Sequence, residues 1–169
     1  MALNTELAKQ AKKYGICEDW YLELKNEKEI DKMLEMYVKG IDFCLSNDYP
    51  SNEFIRKKFV GKMEKHGIHL DEKLAIESKP TVIALGKCMG DIVTLNYDVC
   101  QVFIKNDSEL IIMAHGNSFV MVDIFDNAKV QIFTYDDSKV CVNRYGGEII
   151  QSKNENSVIK IIEKNKKTY

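Results

Sequence analysis

Residues 98–147 divide into five rows of ten that align without a gap. The rows begin at Asp98, Ser108, Ser118, Ala128 and Ser138. Column three reads Cys100, Leu110, Val120, Val130, Val140, and column five reads Val102, Ile112, Val122, Ile132, Val142. The last two columns are almost entirely Asn, Asp and Gly. A repeat of this kind constrains the fold more than any local propensity does. Within a row, columns one, three and five alternate with other residues, the period of a strand with one buried face. Branched side chains suit that pleated surface. Asn, Asp and Gly supply a corner, because they tolerate left-handed or self-bonded backbone.

An antiparallel meander reverses at every turn and has no need for the same residue class at the same offset. A β-solenoid repeats by translation, so each column stacks on its own kind. Column identity therefore predicts a solenoid, with corner Asn and Asp in side-chain ladders. Column six alternates apolar Met113 and Phe133 with polar Asp123 and Asn143, a period of twenty. Coils of two rows and of three rows both remain open. Column eight reads Lys105, His115, Phe125, Tyr135, Tyr145, an outward stack or a packed corner.

The segment before the rows is helical in pattern. Leu3, Leu7, Ala8, Ala11 and Tyr14 fall at helical spacing, and Gly15 is a stop. Asp19 is an expected N-cap for a short helix from Trp20 to Leu24. Trp20, the one tryptophan, is expected to pin the first helix to its bundle. Asn26, with Glu29 three residues on, predicts a capping box and a helix running to Leu45. Gly40 interrupts that helix and permits a close contact. Pro50 ends it. Ser51 caps a further helix over residues 52–66. There Lys58, Lys62 and Lys65 form a stripe beside Arg56.

Glu77–Pro80 marks the expected boundary. The fold class is α+β: an N-terminal α-helical cap (residues 1–78) over one end of a short β-solenoid of ten-residue rows (79–163), with a frayed polar tail (164–169). After Gly147 the register slips by one, so that Ser157, Ile159 and Ile161 recover columns one, three and five.

The length of 169 residues fits one compact domain or two small units, and a net charge of −2 offers no general attraction to nucleic acid or anionic membrane. No apolar run reaches membrane-spanning length, and no signal peptide is evident. The five scattered cysteines read as reduced thiols of a cytoplasmic protein. His66, His69, Asp71 and Glu72 match no metal-ligand spacing, so neither a metal nor another cofactor is expected. Asp123, Asp126, Asp136 and Asp137 stand mainly in turn columns and read as corner ladders rather than catalytic carboxylates.

The stretches Gly15–Trp20, Met36–Cys44 and Asp48–Ser51, followed by rows such as Asp126–Val130, resemble a family of small helix-plus-β-repeat proteins encoded by gut Bacteroides-type bacteria, their phages and mobile elements. The resemblance spans most of the chain. It implies a bacterial or phage intracellular protein and carries over no site residues.

The expected function is a non-enzymatic interaction or assembly module, a homo-oligomer (a trimer is one form) or a platform for a protein partner. The alternative is sequestration of a signalling nucleotide that counters host defence. In that reading Arg56, Lys58, Lys62 and Lys65 clamp phosphates, while His115, Phe125, Tyr135 and Tyr145 stack on the base.

Overall fold

A computed structural model describes residues 1–154 and 156–169, and the chain divides into two compact units. Met1–His66 with Thr168–Tyr169 form the helical unit, and Gly67–Lys167 form the β unit.

The helical unit contains α1 (Leu3–Lys13), α2 (Glu18–Asn26), α3 (Ile30–Lys39), α4 (Ile41–Ser46) and α5 (Asn52–Lys58). Leu7, Ala8 and Ala11 of α1 are buried as their spacing requires. Asn26 does not cap α3, being the last residue of α2. The Glu27 carboxylate instead accepts the N–H groups of Lys28 and Glu29 at 2.8 Å each, and the extended backbone there separates the two helices. Gly40 divides the expected long helix into α3 and α4. A Cβ at Gly40 would lie 3.3 Å from Trp20 Cζ3, so the indole of α2 packs directly on the break.

Ser51 caps α5 as expected, its Oγ accepting the N–H of Phe54 at 3.3 Å. The helix expected over 52–66 ends at Lys58, because Gly61 enters the left-handed region at φ +83°. A separate 3₁₀ turn follows at Glu64–His66. The polar tail is tied at its end: Thr168 Oγ1 donates to Ser46 Oγ at 3.2 Å.

The β unit is a two-sided parallel β-solenoid. One sheet, here sheet A, is ordered β1 (Ile68–Leu70), β3 (Thr81–Leu85), β5 (Val99–Ile104), β7 (Phe119–Ile124), β9 (Lys139–Arg144), β11 (Val158–Glu163). Sheet B is ordered β10 (Glu148–Lys153), β8 (Lys129–Thr134), β6 (Glu109–Ala114), β4 (Met89–Thr94), β2 (Lys73–Glu77). Every pairing is parallel and skips one strand, as Val120↔Val140 and Leu110↔Val130 show. A full coil is thus two rows, the twenty-residue period that column six carries. Met113 and Phe133 lie side by side on sheet B, and Asp123 and Asn143 on sheet A.

Strands begin at Ile68, before the Glu77–Pro80 stretch that the sequence marks as a boundary. The stretch Ile68–Leu74, where extended chain and a short helical turn are expected, supplies β1 and the start of β2. The slip after Gly147 is real: β10 and β11 pair nineteen positions back, Glu148↔Lys129 and Val158↔Lys139.

The interior is the stack of columns three and five, joined by column seven. Cys100, Val102, Ile104, Leu110, Ile112, Ala114, Val120, Val122, Ile124, Val130, Ile132, Val140 and Val142 form one buried cluster. Column one turns inward at the corner. Ser108, Ser118 and Ser138 are buried with Ala128 between them. Ser138 Oγ donates to Ala114 O at 2.9 Å, and Thr94 Oγ1 donates to Ser118 Oγ at 2.9 Å, so these hydroxyls are satisfied in place.

Candidate functional site

Column nine decides the corners. Asn96, Asn106, Gly116, Asp126 and Asp136 adopt φ of 52°, 61°, 65°, 55° and 55°. This left-handed geometry is costly for branched side chains, which accounts for the Asn, Asp and Gly column. The carboxylates grip the neighbouring coil: Asp126 Oδ2 accepts the N–H of Asn106 at 3.1 Å, and Asp136 Oδ2 accepts that of Gly116 at 2.8 Å. Asp123 Oδ1 accepts Asn143 Nδ2 at 2.8 Å on the outer side of sheet A. Asp126 and Asp136 carry the corner ladder expected of them, whereas Asp123, within β7, bonds along the sheet face rather than at a corner.

Column eight forms two stacks, not one. Strands of sheet A and sheet B end at opposite edges of the coil, so alternate members separate. At one edge Phe125 and Tyr145 stack with centroids 4.8 Å apart, Lys105 Nζ lies 5.4 Å from the Phe125 ring, and Lys164 Nζ lies 5.9 Å from that of Tyr145. Phe125 is fully buried. Lys105, also buried, reaches Asp126 Oδ2 at 3.2 Å. Burial, then the charge of Asp123, pushes the Tyr145 phenol up from its ordinary value. At the other edge His115 and Tyr135 stack at 4.5 Å with planes within 6°. Rings this close leave no room for a base between them.

The basic candidates belong to the helical unit. Arg56 and Lys58 lie on α5, while Lys62 and Lys65 follow it. The stripe drawn through Lys58, Lys62 and Lys65 assumed one helix, and the end of α5 at Lys58 removes it. Lys65 Nζ pairs with Asp31 at 2.7 Å, and His66 Nε2 meets the same carboxylate at 3.1 Å. Those two contacts, Lys65 first, hold the Asp31 carboxyl below its usual range. His69 Nδ1 pairs with Glu72 in the β unit. Among the described residues no group of three or more His, Cys, Asp or Glu is placed to hold a metal ion.

The feature that sequence reasoning missed is the outer face of sheet B. Its first outward column runs Lys73, Met89, Glu109, Lys129, Glu148 along the coil axis. Lys129 Nζ lies 3.5 Å from Glu109. The next outward columns carry Ile111, Gln131 and Ile150, then Val93, Met113 and Phe133. Ile150 is 63% exposed and Met89 54%. A shallow depression between them is lined by Asp91, Glu109, Ile111 and Lys129. Charges of alternating sign on every second row were the available signal, but they surface only once the coil is known to be two rows.

The fold and faces define a two-sided parallel β-solenoid preceded in the chain by a helical unit. The chain matches no protein-family model, and neither a curated protein nor a solved structure matches it. No helix among the described residues is long and apolar enough to cross a membrane.

Proposed function

We propose that the protein is a non-enzymatic interaction or assembly module that presents the β-solenoid as a rigid docking surface. The observation that carries this reading is the outer face of sheet B. There Met89 and Ile150 stand exposed beside the partly covered Ile111, Met113 and Phe133, in fixed register and flanked by charges. Exposed apolar groups gathered on a sheet face mark an interaction site more often than scattered ones do, and the outer face of sheet A likewise exposes Val99, Phe119 and Val158. The parallel ladder holds each of them at a set spacing, so little ordering is needed on binding.

The nucleotide-sequestering alternative draws less support. The four aromatic side chains stack on one another in two separate pairs, and the basic residues fall in the other compact unit. A cytoplasmic setting suits five unpaired cysteines, and an origin in bacteria or their phages rests on the family resemblance alone.

The test compares the wild type with a triple variant, I111K/F133K/I150K, checked for unchanged circular dichroism. The wild type is expected to self-associate or to retain a partner from cells that the variant loses. Equal behaviour of the two proteins would refute the reading.

A further inference from the structure

We propose that the outer face of sheet B docks on the same face of a second copy of this chain. The two-fold axis runs parallel to the strands, between β6 and β8. The inference rests on the interaction-module reading and names its partner.

Charge order along the outer edge column and the extent of overlap together select this arrangement. Lys73, Met89, Glu109, Lys129 and Glu148 follow one another from β2 to β10. A two-fold axis along the strands keeps each column facing itself and reverses the order of strands. An axis on β6 would set Glu109 against Glu109, and one on β8 would set Lys129 against Lys129. An axis between β4 and β6 would bring Lys73 against Lys129, and axes on β4 or between β8 and β10 oppose unlike charges but overlap only three strands or two. Between β6 and β8, Glu109 meets Lys129 of the second copy, and by symmetry the reverse contact forms as well. The same axis lays Met113 of β6 over Phe133 of β8, a favourable sulfur–aromatic pairing. At the rim of the contact Met89 then faces Glu148 and Asp91 faces Ile150 of the second copy. From strand spacing and rise, β4, β6, β8 and β10 present a footprint of roughly 19 Å by 20 Å. That is small for a stable dimer, so the association belongs to the weak, transient class.

Sedimentation velocity on the full chain across a concentration series tests the proposal. The wild type is expected to pass from monomer to dimer. E109K alone places Lys against Lys twice, and K129E alone places Glu against Glu twice, so each is expected to weaken dimerisation by about tenfold or more. An equimolar mixture of the two variants restores both opposite-charge contacts and is expected to recover the wild-type dimer. That recovery also shows that the single variants are folded. A dimer unaffected by either substitution, a mixture that stays monomeric, or a mass of three chains would each overturn the two-fold arrangement. A wild type that stays monomeric while retaining a different protein through Ile150 would overturn the second-copy proposal and leave the module reading standing.

Discussion

Phe125 has the most to lose among single side chains. It is fully buried at a corner, stacked on Tyr145 with Lys105 over its ring. Phe125→Ala is expected to lower unfolding free energy by about 3–5 kcal/mol, measured by chemical denaturation. The thiols divide by burial. Desolvation, then Asp98, pushes Cys100 up to about 12, and desolvation also raises Cys88 and Cys44. Native alkylation at pH 8 is therefore expected to label the exposed Cys17 first and to spare Cys44, Cys88 and Cys100 until the protein is unfolded. Asp98 is held below its ordinary value, first by the Ser78 hydroxyl and then by the Leu95 N–H. A depressed folded pKa means stability that is present above the ordinary carboxylate range and lost as pH falls through the folded value. Asp98→Asn should remove that part of the acid sensitivity, visible as a flatter melting-temperature profile below about pH 4.

At the scale of elements, what was legible depended on whether a pattern was repeated. Columns three and five read as inward from their branched residues. Column seven was not read as inward, since Ile104, Ala114, Ile124 and Thr134 share burial but not residue type. The helical unit has no such redundancy. Asn26 and Glu29 have capping-box spacing, yet the carboxylate one residue on, Glu27, takes the free N–H groups. The apolar positions after Phe59 look helical until Gly61 turns the chain. Registry is the property that strands cannot give up. One residue inserted after Gln131 would carry Ile132 to the outer face of β8. That variant is expected to lose cooperative unfolding, whereas one residue inserted at the corner beside Asn127 should keep it, both followed by circular dichroism during heating.

For the whole molecule the unit of architecture is twenty residues. Removing residues 118–137, one full coil, keeps every later strand on its own sheet. The shortened chain is expected to fold with reduced stability, since each coil adds its own core and one interface with its neighbour. Removing residues 118–127 alone moves β8 and all that follows onto the opposite sheet. Met113 would then neighbour Asn143, the buried Phe125 would be lost, and Tyr135 would stand beside Lys105 in its place. A sharply lower melting temperature for the ten-residue deletion than for the twenty-residue one is the expected result.

The sequence by itself determined that equivalent side chains stack along an axis, because a column of branched residues and a column of left-handed Asn, Asp and Gly are local requirements repeated every ten residues. It also determined that helices precede the strands and that the register slips once near Gly147. Only the tertiary structure decided that two rows close a coil. That closure depends on how the corners fold the chain back, and it alone separates Phe125 and Tyr145 from His115 and Tyr135. It also gathers Glu109, Lys129 and Ile150, distant in the chain, onto one face. Faces of this kind are made by packing between coils, and a one-dimensional pattern holds no record of them until the number of sides is known.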